Sequence, residues 1–186
     1  MRNSPRCEND LIAALADSGE IPIDDALMRR HVGDIRAMIY PMVLNDADAD
    51  DLTQEVLLRV LRGVDRFRGD AQFSTWLYRV TLNTARSFLR RQKRRLVVWD
   101  EVPDNRTDRR ADLPEELAMA SELDDAVTAA LESLSPTLRA AIVLTTLQGL
   151  DVREAAHVEG CTTATMYWRV HKARKLLERL LARHLK

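Results

Sequence analysis

The chain of 186 residues is predicted to be all-α, with two small helical domains joined by a flexible acidic linker. Three observations predict this. Leu, Ala and Arg are the commonest residues, while Gly and Pro number only 6 each, which favours helices over strands. Apolar residues recur at helical spacing in two blocks, residues 24–95 and 120–186. Between them, residues 96–119 hold Pro103, Asn105, Pro114 and many acids, with little periodicity. At 46% apolar residues the chain has enough hydrophobic material for a packed core.

Net charge is -1, so total charge alone says nothing of nucleic acid. Its distribution says more. Asp46, Asp48, Asp50, Asp51 and Glu55 cluster early, and Arg86, Arg90, Arg91, Lys93, Arg94 and Arg95 follow as a basic block. Acid returns over residues 100–125, and the last helix is basic again. Alternating blocks of one sign suit separate surfaces for separate partners, although solvated helix faces give the same pattern.

The opening residues 1–10 are polar and charged, unlike a signal peptide, and no apolar run reaches membrane-spanning length. Cys7 and Cys161 make neither a disulfide framework nor a zinc quartet. A cytoplasmic protein is expected. Residues 1–23 form an N-terminal segment in which 11–15 suit a first helix.

The first informative helix surrounds Leu52. At steps of about 100°, Leu52, Val56, Leu57, Val60, Leu61 and Val64 share one arc, the expected buried face. Asp51, Gln54, Glu55, Arg59 and Arg62 share the other, and Leu58 sits among them. Two readings fit Leu58: a protein-binding spot, or a lone exposed leucine of the ordinary kind.

A helix over 74–95 follows. Arg79, Asn83, Arg86, Arg90 and Lys93 recur at spacings of four, three, four and three, one straight polar stripe. Leu77, Thr81, Thr84, Ala85 and Phe88 lie opposite. Such a stripe can track phosphates, with counterion release supplying affinity. The dipole at a helix C-terminus accounts for the last arginines but not for the two earlier turns.

In the second block, Ser135 and Pro136 mark an N-cap and first helical residue, and that helix is expected to reach Gln148, with Gly149 as its left-handed stop. Asp151 and Glu154 have capping-box spacing and open a short helix to about Val158. Gly160 turns the chain, and Thr162 or Thr163 caps a long last helix. Short helix, glycine turn and long basic helix outline a helix-turn-helix. In the last helix Met166, Val170, Ala173, Leu176, Leu177, Leu180 and Leu181 are expected inside. Tyr167, Trp168, His171, Lys172, Lys175 and Arg179 are expected outside. The two aromatics either meet base edges or pack on a neighbouring helix.

These residues carry a resemblance. Asp50-Asp51-Leu52-Thr53-Gln54-Glu55-Val56, then Phe67-Arg68-Gly69-Asp70 and Phe73-Ser74-Thr75-Trp76-Leu77-Tyr78-Arg79 through Asn83 and Arg86, closely resemble region 2 of the extracytoplasmic-function (ECF) sigma factors. Leu134-Ser135-Pro136 through Thr165-Met166 and Arg169-Val170-His171-Lys172-Ala173-Arg174 to Leu181 resemble their region 4. The resemblance covers most of 24–95 and 120–182, in the family's order.

The resemblance implies a promoter-specificity subunit of bacterial RNA polymerase, working without catalysis, cofactor or metal. It implies that Asp51, Gln54, Glu55, Leu58, Arg59 and Arg62 dock on the β′ clamp helices. The β subunit would be a further contact. Phe67 and Asn83 would serve the flipped base of the −10 element, with Arg79, Arg86, Arg90 and Arg91 along the strand. The linker would follow the RNA-exit path. Thr163, Thr165, Tyr167, Trp168, His171, Lys172 and Lys175 would enter the −35 major groove. An anti-sigma protein is the implied inhibitor. Where the family usually has a basic residue and then Ser, this chain has Tyr167-Trp168, so the −35 sequence does not carry over. Arg169 falls at the edge of the buried arc and reads as structural, with Glu154 as its expected partner.

Two other classes fit the residues less well. A helix-turn-helix regulator that is not a sigma subunit needs an effector domain, and the first block has no βαβ rhythm. An enzyme such as a recombinase needs a nucleophile with a base or metal. His31, His157, His171 and His184 lack ligand spacing. Asp46, Asp48 and Asp50 have calcium-loop spacing without the glycine at the sixth position and glutamate at the twelfth.

Overall fold

The computed structural model describes residues 25–63, 67, 72–99 and 115–182, with side chains over 31–63, 67, 72–95 and 123–182. The N-terminal segment, most of the linker and Val64 lie outside the described residues. The described residues form helices α1 (Asp25–Val43), α2 (Asp46–Gly63), α3 (Phe73–Trp99), α4 (Glu115–Glu132), α5 (Pro136–Ile142), α6 (Val152–Glu159) and α7 (Thr163–Leu181). A π-helical turn, Val143–Leu147, extends α5. Both α3 and α4 reach into the 96–119 stretch read from sequence as linker.

Helices α1, α2 and α3 pack pairwise into the first bundle. Its core is Ile35, Ile39, Ala49, Leu52, Val56, Val60, Phe73 and Leu77. The expected inner arc of α2 therefore holds, except that Leu61 is 49% exposed. Thr53, Thr81 and Thr84 are buried polar residues, and each hydroxyl donates to the carbonyl four residues back. That satisfies them without a cross-helix partner. Arg36 on α1 donates to Asp46 (2.8 Å) and Asp50 (2.7 Å) on α2, so this part of the acidic cluster is answered by an arginine.

In the second half, α7 packs on α4, α5 and α6. Local chemistry sets the ends. Asp151 Oδ1 accepts from the Arg153 and Glu154 N–H groups, and the Glu154 carboxylate accepts from Asp151 N–H at 2.8 Å, which completes the expected capping box. Gly160 stops α6 at φ 63 and ψ 35, where any Cβ is strained. Thr162, not Thr163, caps α7 by accepting from Thr165 N–H. Ser135 has the extended backbone of an N-cap, but its side chain makes no capping bond and lies 3.2 Å from the Thr137 hydroxyl instead. The helix expected to run unbroken to Gln148 changes to π geometry at Val143. Residues 138–144 are all buried, an arc wider than a regular surface helix supplies, because α1, α6 and α7 enclose this segment together.

The two halves are not separate beads. One core contains Met38, Met42, Leu82 and Ala85 of the first half with Ala141, Val143, Leu144, Ala156, Met166 and Val170 of the second. Arg139 locks the junction. It is 7% exposed and donates to the carbonyls of Met42 (2.6 Å), Glu132 (3.0 Å) and Leu134 (3.2 Å). Helix α1 has no basic residue in its last turn. Arg139 supplies that cation from across the junction, where the terminal carbonyls and the helix dipole favour it. Burial pulls the guanidinium below its usual pKa, while Glu132 acts in the opposite direction.

Arg139→Met keeps the bulk but strands those carbonyls. Buried acceptors without donors cost about 1–3 kcal/mol each, partly relieved by water, so a loss of about 3 kcal/mol is expected in urea unfolding. A loss under about 0.5 kcal/mol would show that the clamp contributes little.

Candidate nucleic-acid interface

The site is built on α3. Its sequence carries three parallel stripes, each about 100° from the next. Leu77, Thr81, Thr84 and Phe88 face α1 and α2, and the first, second and third of these are buried. Tyr78, Leu82, Ala85 and Leu89 form a middle stripe that enters the core shared with the second half. Arg79, Asn83, Arg86, Arg90 and Lys93 form the polar ridge. The middle stripe was missed in the sequence reading, although its apolar spacing of four, three and four is plain.

That stripe divides the ridge in two. Arg79, Asn83, Arg90 and Lys93 are exposed, as are Arg91, Arg94 and Arg95 beside them, while Arg86 is half-buried. Arg79 and Arg86 are engaged by the second half. Arg79 donates to the carbonyls of His157 (2.6 Å) and Val158 (3.2 Å), at the end of α6. One Arg86 nitrogen lies 2.5 Å from both carboxylate oxygens of Glu159. Arg169 adds a bond to Glu159 at 3.1 Å, so its partner is Glu159 rather than the expected Glu154. Glu154 is occupied by the capping box, and the turn at Gly160 carries Glu159 back against α7.

Phe67 is half-buried rather than presented to solvent. Its ring meets Phe73 edge-on with centroids 5.9 Å apart and lies 5.5 Å from Trp76. Phe73 and Trp76 are 5.6 Å apart. The cluster pins the entry to α3 below the ridge.

On α2, Asp51, Gln54, Leu58, Arg59 and Arg62 are exposed and Glu55 is half-exposed, along one continuous strip. Leu58 is 51% exposed, and the unexpected exposure of Leu61 three residues on enlarges the apolar spot. Glu55 pairs with Arg59 and lies 3.8 Å from Arg91 of α3. Both are surface pairs of small energetic weight.

At the far end, Tyr167 (61%) and Trp168 (57%) are exposed in the first turns of α7, so neither packs on a neighbouring helix. Lys172, four residues on along the same helix, places its ammonium 4.7 Å from the Trp168 ring centre, a cation–π contact. His171, Lys172 and Lys175 are exposed on the same face. Thr163 and Thr165 are half-buried, and the Thr165 hydroxyl sits 2.8 Å from that of Thr162 within the cap. Leu180, expected inside, is 38% exposed.

Comparison with known proteins decides the family. Residues 27–95 match the family described as Sigma-70 region 2, and residues 124–177 match Sigma-70, region 4. The chain is 34% identical to the ECF RNA polymerase sigma-E factor of Escherichia coli over 149 residues, 76% of this chain and 78% of that one. It belongs to the ECF family of RNA polymerase sigma factors. It is also 34% identical to the ECF RNA polymerase sigma factor SigE of Mycolicibacterium smegmatis, over 92% of this chain and 66% of that longer relative. Among solved structures, the sigma factor RpoE in complex with the anti-sigma factor NepR from Bartonella quintana is similar, with TM-score 0.67, 25% identity, and 84% and 95% of the two chains covered. So is CnrH in complex with the cytosolic domain of CnrY, with TM-score 0.68, 27% identity, and 94% and 97% covered. Among the described residues no group of His, Cys, Asp and Glu is arranged to hold a metal, and no helix is long and apolar enough to cross a membrane.

The α2 strip yields a prediction about folding alone. Because Leu58 is half in solvent and belongs to no core, Leu58→Asp leaves the melting temperature within about 2 °C of the parent. A drop of about 8 °C or more in a thermal melt would place Leu58 in the fold instead.

Proposed function

We propose that this sigma factor grips core RNA polymerase through the α2 strip and holds a melted promoter strand along α3, while α7 reads the −35 element. The observation that carries the reading is the meeting, on adjoining helices, of an exposed leucine in a charged strip and an exposed Asn–Arg–Lys ridge. The strip comprises Asp51, Gln54, Glu55, Leu58, Arg59 and Arg62, with the β′ clamp helices as its partner. Leu58 and Leu61 form a small apolar centre with a charged rim, the usual anatomy of a protein-binding patch.

Asn83 stands at the middle of the ridge with both a donor and an acceptor on its amide. Extracting a base costs a few kcal/mol, which hydrogen bonds to the base edge must return. Arg90 and Arg91 are positioned for the strand backbone, and Arg79 and Arg86 extend the same line. Phe67 supports the pocket wall from within its aromatic cluster. On α7, Tyr167 and Trp168 suit contact with thymine methyl groups, while His171, Lys172 and Lys175 suit phosphates and acceptor edges. The role is binding and positioning, with no reaction assigned and no cofactor required, in the cytoplasm where polymerase and DNA meet. An anti-sigma protein is the expected regulator, supported by the similar sigma factor RpoE solved in complex with the anti-sigma factor NepR.

The experiment that tests the whole reading is transcription by purified core polymerase on a pool of random promoters. The chain is expected to confer transcripts sharing two sequence elements, and no enrichment over core polymerase alone would contradict it. Two variants test the parts. Asn83→Ala is expected to slow open-complex formation about tenfold while leaving duplex binding within about twofold, since only the melted strand offers a free base. Equal effects on both steps would remove Asn83 from a base pocket. Arg90→Ala is expected to lower the salt slope of promoter binding by about one unit, and an unchanged slope would show that it neutralises no phosphate.

A further inference from the structure

The outer face of α7 begins in carbon and continues in cations. At steps of about 100°, Ala164, Tyr167, Trp168 and His171 fall together, at spacings of three, one and three. All four are exposed. Ala164, Tyr167 and Trp168 therefore make one contiguous apolar patch rather than scattered exposed residues. Trp168 also heads a straight stripe with Lys172, Lys175 and Arg179, all exposed. The single acidic residue of α7, Glu178, lies about 16 Å from Tyr167 along the helix axis. The polar groups that could read bases from these turns are engaged elsewhere. The Thr165 hydroxyl is held 2.8 Å from that of Thr162. Arg169, whose fork would take a guanine, bonds Glu159. The Lys172 ammonium lies over the Trp168 ring.

We infer that Ala164, Tyr167 and Trp168 form a reader of 5-methylpyrimidines: the −35 element of this chain carries thymines that are recognised by their methyl groups. The inference rests on the proposed reading of the −35 element by α7. In the major groove the apolar group that a base edge offers is the 5-methyl of thymine. The Tyr167 hydroxyl and the indole N–H each add one donor, which the neighbouring O4 of thymine accepts. Guanine and cytosine carry no methyl and forfeit the apolar contact. A methylated cytosine keeps it. Lys175 and Arg179, further along the stripe, suit the phosphates that fix the helix in the groove. That cationic continuation of the patch favours duplex DNA as its occupant over an apolar protein helix.

The test alters the DNA first and the protein second. Holoenzyme assembled from the full chain and core polymerase selects from promoter duplexes randomised over the −35 window. The enriched element is expected to contain thymines. Each is then replaced by uracil, which removes the methyl alone. Affinity is expected to fall about fourfold at each position the patch reads, the scale of one buried methyl group. Cytosine at such a position is expected to bind more weakly still, and 5-methylcytosine to recover about fourfold over cytosine. In folded Trp168→Ala or Tyr167→Ala the uracil penalty is expected to vanish where that ring makes the contact. An enriched element without thymines overturns the reader, and so do thymine and uracil duplexes bound alike. In both cases the reading of the −35 element by α7 stands. A penalty that persists unchanged in both aromatic variants also overturns it, by assigning the methyl effect to duplex shape. Parent-like DNA affinity in both variants, with weakened affinity for core polymerase, overturns it by giving the patch to a protein. If no −35 element is enriched and Lys175→Ala binds like the parent, the reading of α7 itself falls and takes the inference with it.

Discussion

The buried carboxylate of Glu159, held between Arg86 of one half and Arg169 of the other, is the contact on which the arrangement depends. An ionised carboxylate out of water is costly unless cations and hydrogen bonds surround it. Arg169 keeps the helix-turn-helix in shape, and Arg86 ties that unit to α3. The same guanidinium lies in the cationic ridge that suits a nucleic-acid strand. Fold and proposed function therefore draw on one side chain.

The energetic scale of this closure is set by the apolar junction more than by the ion pair. Met38, Met42, Leu82, Val143 and Leu144 are almost wholly buried in the shared core. Full burial of such side chains is worth about 1.5–3 kcal/mol each, although part of each belongs to its own half. Separating the halves in water thus costs several kcal/mol. The α2 strip, with Leu58 and Leu61, lies apart from that junction and is open to solvent. Binding through it needs no change in how the halves pack.

Features governed by neighbouring residues were legible from sequence. The Asp151–Glu154 box, the glycine stop at Gly160 and the exposed Leu58 follow from capping chemistry and helical phase, which require no knowledge of the tertiary fold. Arg169 was correctly placed at the edge of the buried arc, but phase gives direction and not reach, and its partner proved to be Glu159 across the turn. Ser135 has the right backbone for a cap without the bond, because its hydroxyl turns to Thr137. The π turn at Val143 answers crowding by three other helices, which no local pattern contains. Most of the candidate site's residue types were visible as a stripe, yet its division was not. The middle stripe of Tyr78, Leu82, Ala85 and Leu89 was present in the letters, and a second apolar stripe on one helix implies a second packing partner.

The central claim is that the α2 strip grips core polymerase through residues the fold itself does not need. Affinity of the purified chain for core polymerase, compared between the parent and Leu58→Asp, tests it most directly. The folded Leu58→Asp chain is expected to bind at least about tenfold more weakly than the parent. Parent-like affinity in the folded variant would contradict it.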